Sequence, residues 1–371
     1  MLHKDLRVRG EDAIQWGADH LTKCHTKDDE LYVMFGDPHY WGHPEAIMTS
    51  RTALHISQSK PGAEVAAEAA AALAASAMIL SPNLRDTRDS YVRHARQLYE
   101  FAYKYRVKYH DSVPEAANFY KSWSGYQDEL VWAAIWLYRL TNEETYLKNA
   151  EALYNDFKLQ TQDIDEFSWD NKLLGLKMLL YKLTLDEKYK NAPKEHCDKL
   201  INGYKETPKG MYYFGSEIGS IKYALASAFI CLSFGETLVD INQLANNPYQ
   251  DFALRQLHYA LGGTGRSYVV GYGTNYPRFP YHRGASCLPY PADCTWDAVN
   301  SESPNPTEIL GALVGGPDQN DTYQDIRDWK QNGVTVYQNA ALQSLLAAVM
   351  SLLEKGKLSL ETVHFGLPDF I

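Results

Sequence analysis

The sequence predicts an all-α protein built as one domain, residues 1–371, from successive antiparallel helix pairs. Apolar residues recur at helical spacing in about ten segments. Strand-like alternation is confined to short pieces such as Ser267-Tyr268-Val269-Val270, and no composition break marks a linker. Hydrophobic residues make up 45% of the 371 and charged residues 22%, a balance that excludes a disordered, collagen-like or disulfide-scaffold chain.

The first helix is expected from Gly10 to His25, where Ala13, Ile14, Trp16, Gly17, Ala18 and Leu21 form its apolar set. Pro61 then opens an Ala-dominated run from Ala63 to Leu80, with Ser57 and Ser59 as candidate caps. Such dense Ala suits a helix packed on several sides. Arg88 to Lys108, Asp128 to Leu140, Glu143 to Phe157, Asp170 to Leu183 and Asp186 to Tyr204 repeat the pattern. Ile218 to Leu238, Gln250 to Leu261 and Val336 to Leu353 complete it. Thr141-Asn142-Glu143-Glu144 and Ser168-Trp169-Asp170 read as helix starts. The segments Leu31 to Lys60 and Gly262 to Asp325 are too long for connectors and are rich in His, Tyr, Pro, Gly and Asp, so they are expected to carry function.

The net charge of −10 argues against a nucleic-acid groove or an anionic membrane surface. No run of 18 consecutive apolar residues occurs. The opening Met1-Leu2-His3-Lys4-Asp5-Leu6-Arg7 does not read as a secretory leader. Of the five cysteines, Cys24, Cys197 and Cys231 sit in helical patterns and are expected as buried thiols. Cys287 and Cys294 lie seven apart in a Pro-rich loop, where a disulfide is expected and would imply an oxidising compartment.

Several chemistries fall away on motif grounds. His39 and His43 bracket Tyr40-Trp41-Gly42, but no further ligands follow at zinc spacing. Gly262-Gly263-Thr264-Gly265-Arg266 follows a helix and lacks the Lys-Ser/Thr of a phosphate loop. No Gly-x-Ser-x-Gly elbow occurs. What remains is aromatics, His, Arg and carboxylates. The 27 Tyr and 8 Trp exceed what a core needs, and aromatic faces stack on sugars as well as on each other. The cluster Asp318, Asp321, Asp325, Arg327 and Asp328 reads, on composition alone, as a turn-rich loop whose carboxylates cap amides.

Five stretches carry a resemblance. They are Pro61-Gly62-Ala63-Glu64-Val65-Ala66-Ala67-Glu68, Ser122 to Ala134 (Ser-Trp-Ser-Gly-Tyr-Gln-Asp-Glu-Leu-Val-Trp-Ala-Ala), and Phe167-Ser168-Trp169-Asp170-Asn171-Lys172-Leu173. Gly265 to Gly273 and Leu310 to Asp318 complete the set. In that order, from about residue 11 to about residue 350, the chain resembles glycoside hydrolase family 9, the cellulases. The resemblance implies an (α/α)6 barrel, a six-hairpin toroid, here lacking its first helix pair. It also implies an extracellular, secreted endo-β-1,4-glucanase that takes a β-1,4-glucan chain and inverts the anomeric centre, with no cofactor required. In that scheme one carboxylate activates water and a second carboxylic acid protonates the leaving oxygen.

The same resemblance exposes departures. The family's Asp-Ala-Gly-Asp base element does not occur, Tyr281 stands where a His should precede Arg283, and the acid position falls on Gly333. No Asp or Glu lies between Trp329 and Leu353. General acid–base assistance contributes about 10²–10⁴-fold per group, so hydrolysis is expected to be impaired, with Asp325 and Arg283 as the remaining catalytic candidates. Substrate contacts are expected from His39, Trp41, Trp123, Tyr126, Trp169, His282 and Arg283, while Ile218 replaces a family Trp. Ser124, Gly125, Asp128 and Glu129 match a calcium element of some members, with Asp170 as distal ligand; helix capping by Asp128 and Glu129 is the alternative. Three readings follow: a non-catalytic glucan binder, an active endoglucanase whose front part lies outside this chain, or a scaffold subunit. An uncovered flank left by a missing helix pair would favour self-association or a partner chain.

Overall fold

Helices dominate because the apolar stripes are long and the strand-forming runs short. The computed structural model describes residues 2–36, 39–162, 166–238 and 247–358. They fall into two compact units. The first comprises Met1–Pro38, Ser50–Asp163 and Asp170–Leu179, and the second His39–Thr49, Ile164–Trp169 and Leu180–Ile371.

In the first unit, α1 (Leu2–Cys24) leads into a three-stranded antiparallel sheet of β1 (His25–Lys27), β2 (Glu30–Phe35) and β3 (Ala53–Ser57), with β2 central. This sheet corrects the expectation of an irregular loop from Leu31. Alternation over five or six residues suffices once Leu31 and Ile56 pair across the strands and are both buried. Helices α2 (Ala63–Ile79), α3 (Arg85–Lys104), α4 (Tyr109–Ser112), α5 (Gln127–Thr141) and α6 (Glu144–Asp156) follow. The central α2 packs on both α3 and α5. Its fully buried Ala66, Ala67, Ala70, Ala74 and Ala77 let those backbones approach closely. Gly62 ahead of it is needed for space, since a Cβ there would lie 2.5 Å from Tyr109 Cβ. The expected caps are displaced: Ser57 ends β3, and Asn142 closes α5 in a left-handed conformation rather than opening α6.

Helix α7 (Leu173–Thr184) runs from the first unit into the second, where α8 (Asn191–Ile201), α9 (Ser220–Leu238), α10 (Pro248–Leu261) and α13 (Val336–Glu354) form the core. Between α10 and α13 lie the short α11 (Arg283–Ser286) and α12 (Asp297–Asn300). α9 packs on α8, α10 and α13, burying Ile221, Leu225, Ile230 and Phe234. By length and composition α9 and α13 could each cross a bilayer, but most of α9 is buried in this core. The expected buried thiols Cys197 and Cys231 are instead bonded to each other. Helical pattern placed them inside but could not show that α8 and α9 bring their Cα atoms to 5.4 Å, within disulfide reach. Cys24 is a buried free thiol.

Candidate functional site

The two positions that depart most from the expected chemistry meet in the second unit. Tyr281 and Gly333 pair as a parallel bridge, and Tyr281 N–H donates to Asn332 O at 2.8 Å. A Cβ at Gly333 would lie 2.5 Å from Trp329 O, so any side chain there requires the backbone to shift.

Trp41 packs edge-on to Tyr281, with centroids 5.1 Å apart, and lies 5.1 Å from the Trp296 ring. Its indole N–H donates to Ser286 Oγ at 3.1 Å, and the Arg283 guanidinium sits 5.9 Å from its centroid. At 5% exposure Trp41 supports this cluster from below and offers little open face for the substrate contact expected of it. Trp296, which the sequence reading did not single out, is the exposed ring of the group. Its indole N–H donates to His39 O at 3.1 Å, so His39 contributes through its backbone. His282 caps α11, its Nδ1 accepting from Ala285 N–H at 3.1 Å. Just beyond, Cys287 and Cys294 form a disulfide, and His43 Nε2 reaches Ala292 O inside that loop at 2.9 Å.

The carboxylates of the following loop are all engaged, Asp318 and Asp328 with its own backbone and Asp321 and Asp325 with other segments. Asp325 accepts from Arg278 N–H at 2.9 Å and Phe279 N–H at 3.2 Å. Asp328 accepts from Lys330 and Gln331 N–H at 3.2 and 2.9 Å. Asp318 accepts from Asn320 and Thr322 N–H, and Asp321 from Tyr259 O–H and Lys209 N–H. Asp325 therefore pins the irregular segment leading to Tyr281, with both of its carboxylate oxygens taken by backbone amides.

A cavity of about 810 Å³ opens nearby, lined by Tyr213, Phe214, Glu217, Asp318, Asn320 and Lys330 among others. Trp169 belongs to this unit, with its ring 6.4 Å from Tyr337. The Lys222 ammonium lies 4.2 Å from the Tyr223 centroid and 5.4 Å from that of Tyr337, and donates to Ile218 O. Burial pushes Lys222 down to about 8.

The remaining predicted residues gather in the first unit. Asp170 accepts from Trp123 N–H and Ser124 N–H at 2.9 and 3.1 Å, so it ties down the loop ahead of α5 rather than capping α7. Ser122 Oγ donates to Gly125 O, and Gly125 takes a φ of +106°, which favours glycine. Trp123 is 74% exposed with Lys121 Nζ 4.6 Å from its ring, and half-buried Tyr126 meets Phe157 edge-on. Asp128 and Glu129 are buried in the first turn of α5, where Asp128 accepts from Lys172 N–H at 2.6 Å. Burial, with Asp128 beside it, holds the Glu129 carboxyl well above the usual carboxylate range. Burial also raises Asp170, outweighing its amide bonds. Glu129 Oε2 has no hydrogen-bond partner among the described residues.

A model of glycosyl hydrolase family 9 matches residues 5–346. Endoglucanase A of Bacillus pumilus is 36% identical, over 93% of this chain and 54% of its own length. The chain thus spans about half of that relative. Endoglucanase 15 of Arabidopsis thaliana is 36% identical over 91% of this chain and 75% of its own. Among solved structures, the endoglucanase of the termite Nasutitermes takasagoensis superposes with a TM-score of 0.87 at 44% identity, covering 92% of this chain and 78% of that one. Endoglucanase CelQ of Clostridium thermocellum, solved with cellotetraose, gives 0.79 at 29% identity over 95% and 58%. Such neighbours are (α/α)6 barrels, and this all-α chain shares their fold class.

Proposed function

Because this chain belongs to glycosyl hydrolase family 9, we propose that it is a cellulase-like domain that binds β-1,4-glucan but is impaired in cleaving it. The observation that carries the reading is Gly333, an acid position with neither a carboxyl group nor space for one. Inverting hydrolysis needs two carboxyl groups about 6.5–9.5 Å apart on opposite sides of the sugar. Asp325 and Asp328, the nearby alternatives, are both bound to loop amides. Binding needs no proton transfer. Trp296, Tyr281 and Arg283 offer stacking and hydrogen bonding, and the complex of CelQ with cellotetraose supports glucan as the ligand class. Export to an oxidising compartment fits the two disulfides.

On the same reading, Ser124, Gly125, Asp128, Glu129 and Asp170 would hold a calcium ion. Hard oxygen donors suit Ca²⁺, and the unpartnered, buried Glu129 Oε2 is the kind of atom a cation would satisfy. Burial works against the charge on Lys172, yet Glu68, Glu129 and Asp128 hold it above its ordinary value, so this pocket already favours a cation.

The test is reducing-sugar release from a long cello-oligosaccharide, with the anomeric configuration of the product followed by NMR. No release above background is expected. Clear inverted product would overturn the proposal and establish a working endoglucanase.

A further inference from the structure

We propose that Asn320 is an acceptor for an N-linked glycan, which it would carry at the rim of the 810 Å³ cavity. Asn320-Asp321-Thr322 is the one Asn-x-Ser/Thr triplet in the 371 residues with x other than proline; Asn305-Pro306-Thr307 is ruled out by its proline. The fold presents this triplet outward. Asp318 closes a tight loop around it, its N–H donating to Thr322 O at 3.0 Å and its carboxylate accepting from Asn320 and Thr322 N–H at 2.8 and 2.9 Å. Asp321 sits between them with a φ of +60°. Its carboxylate is turned back into the protein, accepting from Tyr259 O–H and Lys209 N–H. The middle residue is thus held inside while Asn320 and Thr322 are both exposed. No described residue hydrogen-bonds the Asn320 carboxamide, so attaching a sugar there breaks no contact and buries no polar group.

In the transfer, Asn320 Nδ2 attacks the anomeric carbon of a lipid-linked oligosaccharyl diphosphate. The N–C bond forms, the C–O bond to the diphosphate breaks with its electron pair leaving on oxygen, and Nδ2 releases one proton. Because Asn320 itself lines the cavity with Phe214, Tyr213 and Lys330, the first sugar is delivered to that opening. The inference rests on the export reading above and on a eukaryotic secretory route.

The experiment is secretion of the full chain, behind a cleavable leader, from cultured eukaryotic cells. Intact-protein and peptide mass spectrometry would be run before and after peptide-N-glycosidase. A parallel chain carries Glu302→Thr, which converts the exposed Asn300-Ser301-Glu302 into a control acceptor. We expect one glycan on the wild type, enzymatic release that converts Asn320 to aspartate, and loss of the glycan in both Asn320→Gln and Thr322→Ala. A glycan on Asn300 of the control with an unmodified Asn320 overturns the site. A secreted chain bare at both residues likewise overturns the site, and a chain that does not reach the medium in folded form overturns the export reading on which it rests.

Discussion

At Gly333 the local geometry decides more than the missing carboxyl group does. Installing the family's acid by Gly333→Glu places a Cβ 2.5 Å from a backbone carbonyl, so the bridge to Tyr281 must shift. We expect this variant to lose about 1–3 kcal/mol of stability, the range for overpacking, and to gain no hydrolysis; a lower Tm with unchanged reducing-sugar background checks both. Glu64 is a second residue with a measurable signature. Burial pushes its carboxyl up to about 7, against the Tyr109 N–H it accepts from at 2.7 Å. A carboxyl raised on folding stays protonated in the native state while the unfolded chain ionises, so its contribution is lost as pH climbs from about 4.5 to about 7. That interval corresponds to about 3 kcal/mol. Glu64→Gln keeps the acceptor and removes the titration, so its Tm should fall less than wild type between pH 4.5 and pH 7.5. Neither effect was legible in sequence. The one-letter string shows Gly where the family resemblance implies the acid, but only the fold shows Trp329 O behind it.

The elements were legible where periodicity was long and illegible where pairing was tertiary. α2, α5, α9 and α13 follow directly from their apolar spacing. β1 to β3 do not, because three to six residues leave too little alternation to outweigh a loop-like composition. The disulfide between Cys287 and Cys294 is local and could be anticipated from a seven-residue spacing. The one joining α8 to α9 spans 34 residues and depends on helices finding each other. That difference predicts unequal worth. Loop-closure entropy gives about 3.8 kcal/mol for the longer loop and about 2.4 kcal/mol for the shorter, so Cys197→Ala with Cys231→Ala should lower Tm more than Cys287→Ala with Cys294→Ala. Equal losses would count against it. The calcium proposed above would act on elements too, since its ligands would come from the loop before α5, the first turn of α5 and Asp170. Adding Ca²⁺ to chelator-treated protein should raise Tm, by about 2.7 kcal/mol of stability at a hundred times the dissociation constant. Glu129→Gln should remove most of that gain, and a Tm indifferent to both chelator and calcium would exclude the site.

For the whole molecule, the fold class and the departures from the family were readable from residue types alone. The identity of the open aromatic was not. Trp41 matched a family position but is buried, whereas Trp296 carried no signal in the motifs and is exposed, in contact with the Trp41 ring and with His39 O. Net charge supplies the last test. A chain at −10 repels polyanions, and binding that depends on counterion release falls steeply with salt. A neutral glucan bound by stacking and hydrogen bonds releases no counterions, so its affinity should ignore ionic strength. We expect a cello-oligosaccharide to bind in the millimolar range, about −4 kcal/mol. Its isotherms should superimpose between about 50 mM and about 500 mM salt, although screening lengths change severalfold across that interval. Trp296→Ala should weaken binding by about 1 kcal/mol, the scale of one aromatic contact beyond its buried area, and leave Tm nearly unchanged because the ring is half outside the core. Trp41→Ala should lower Tm as well, since it removes the support under both Trp296 and Tyr281. Affinity that collapses with salt, or a Trp296→Ala variant that binds as well as wild type, would show that the ligand does not engage this cluster.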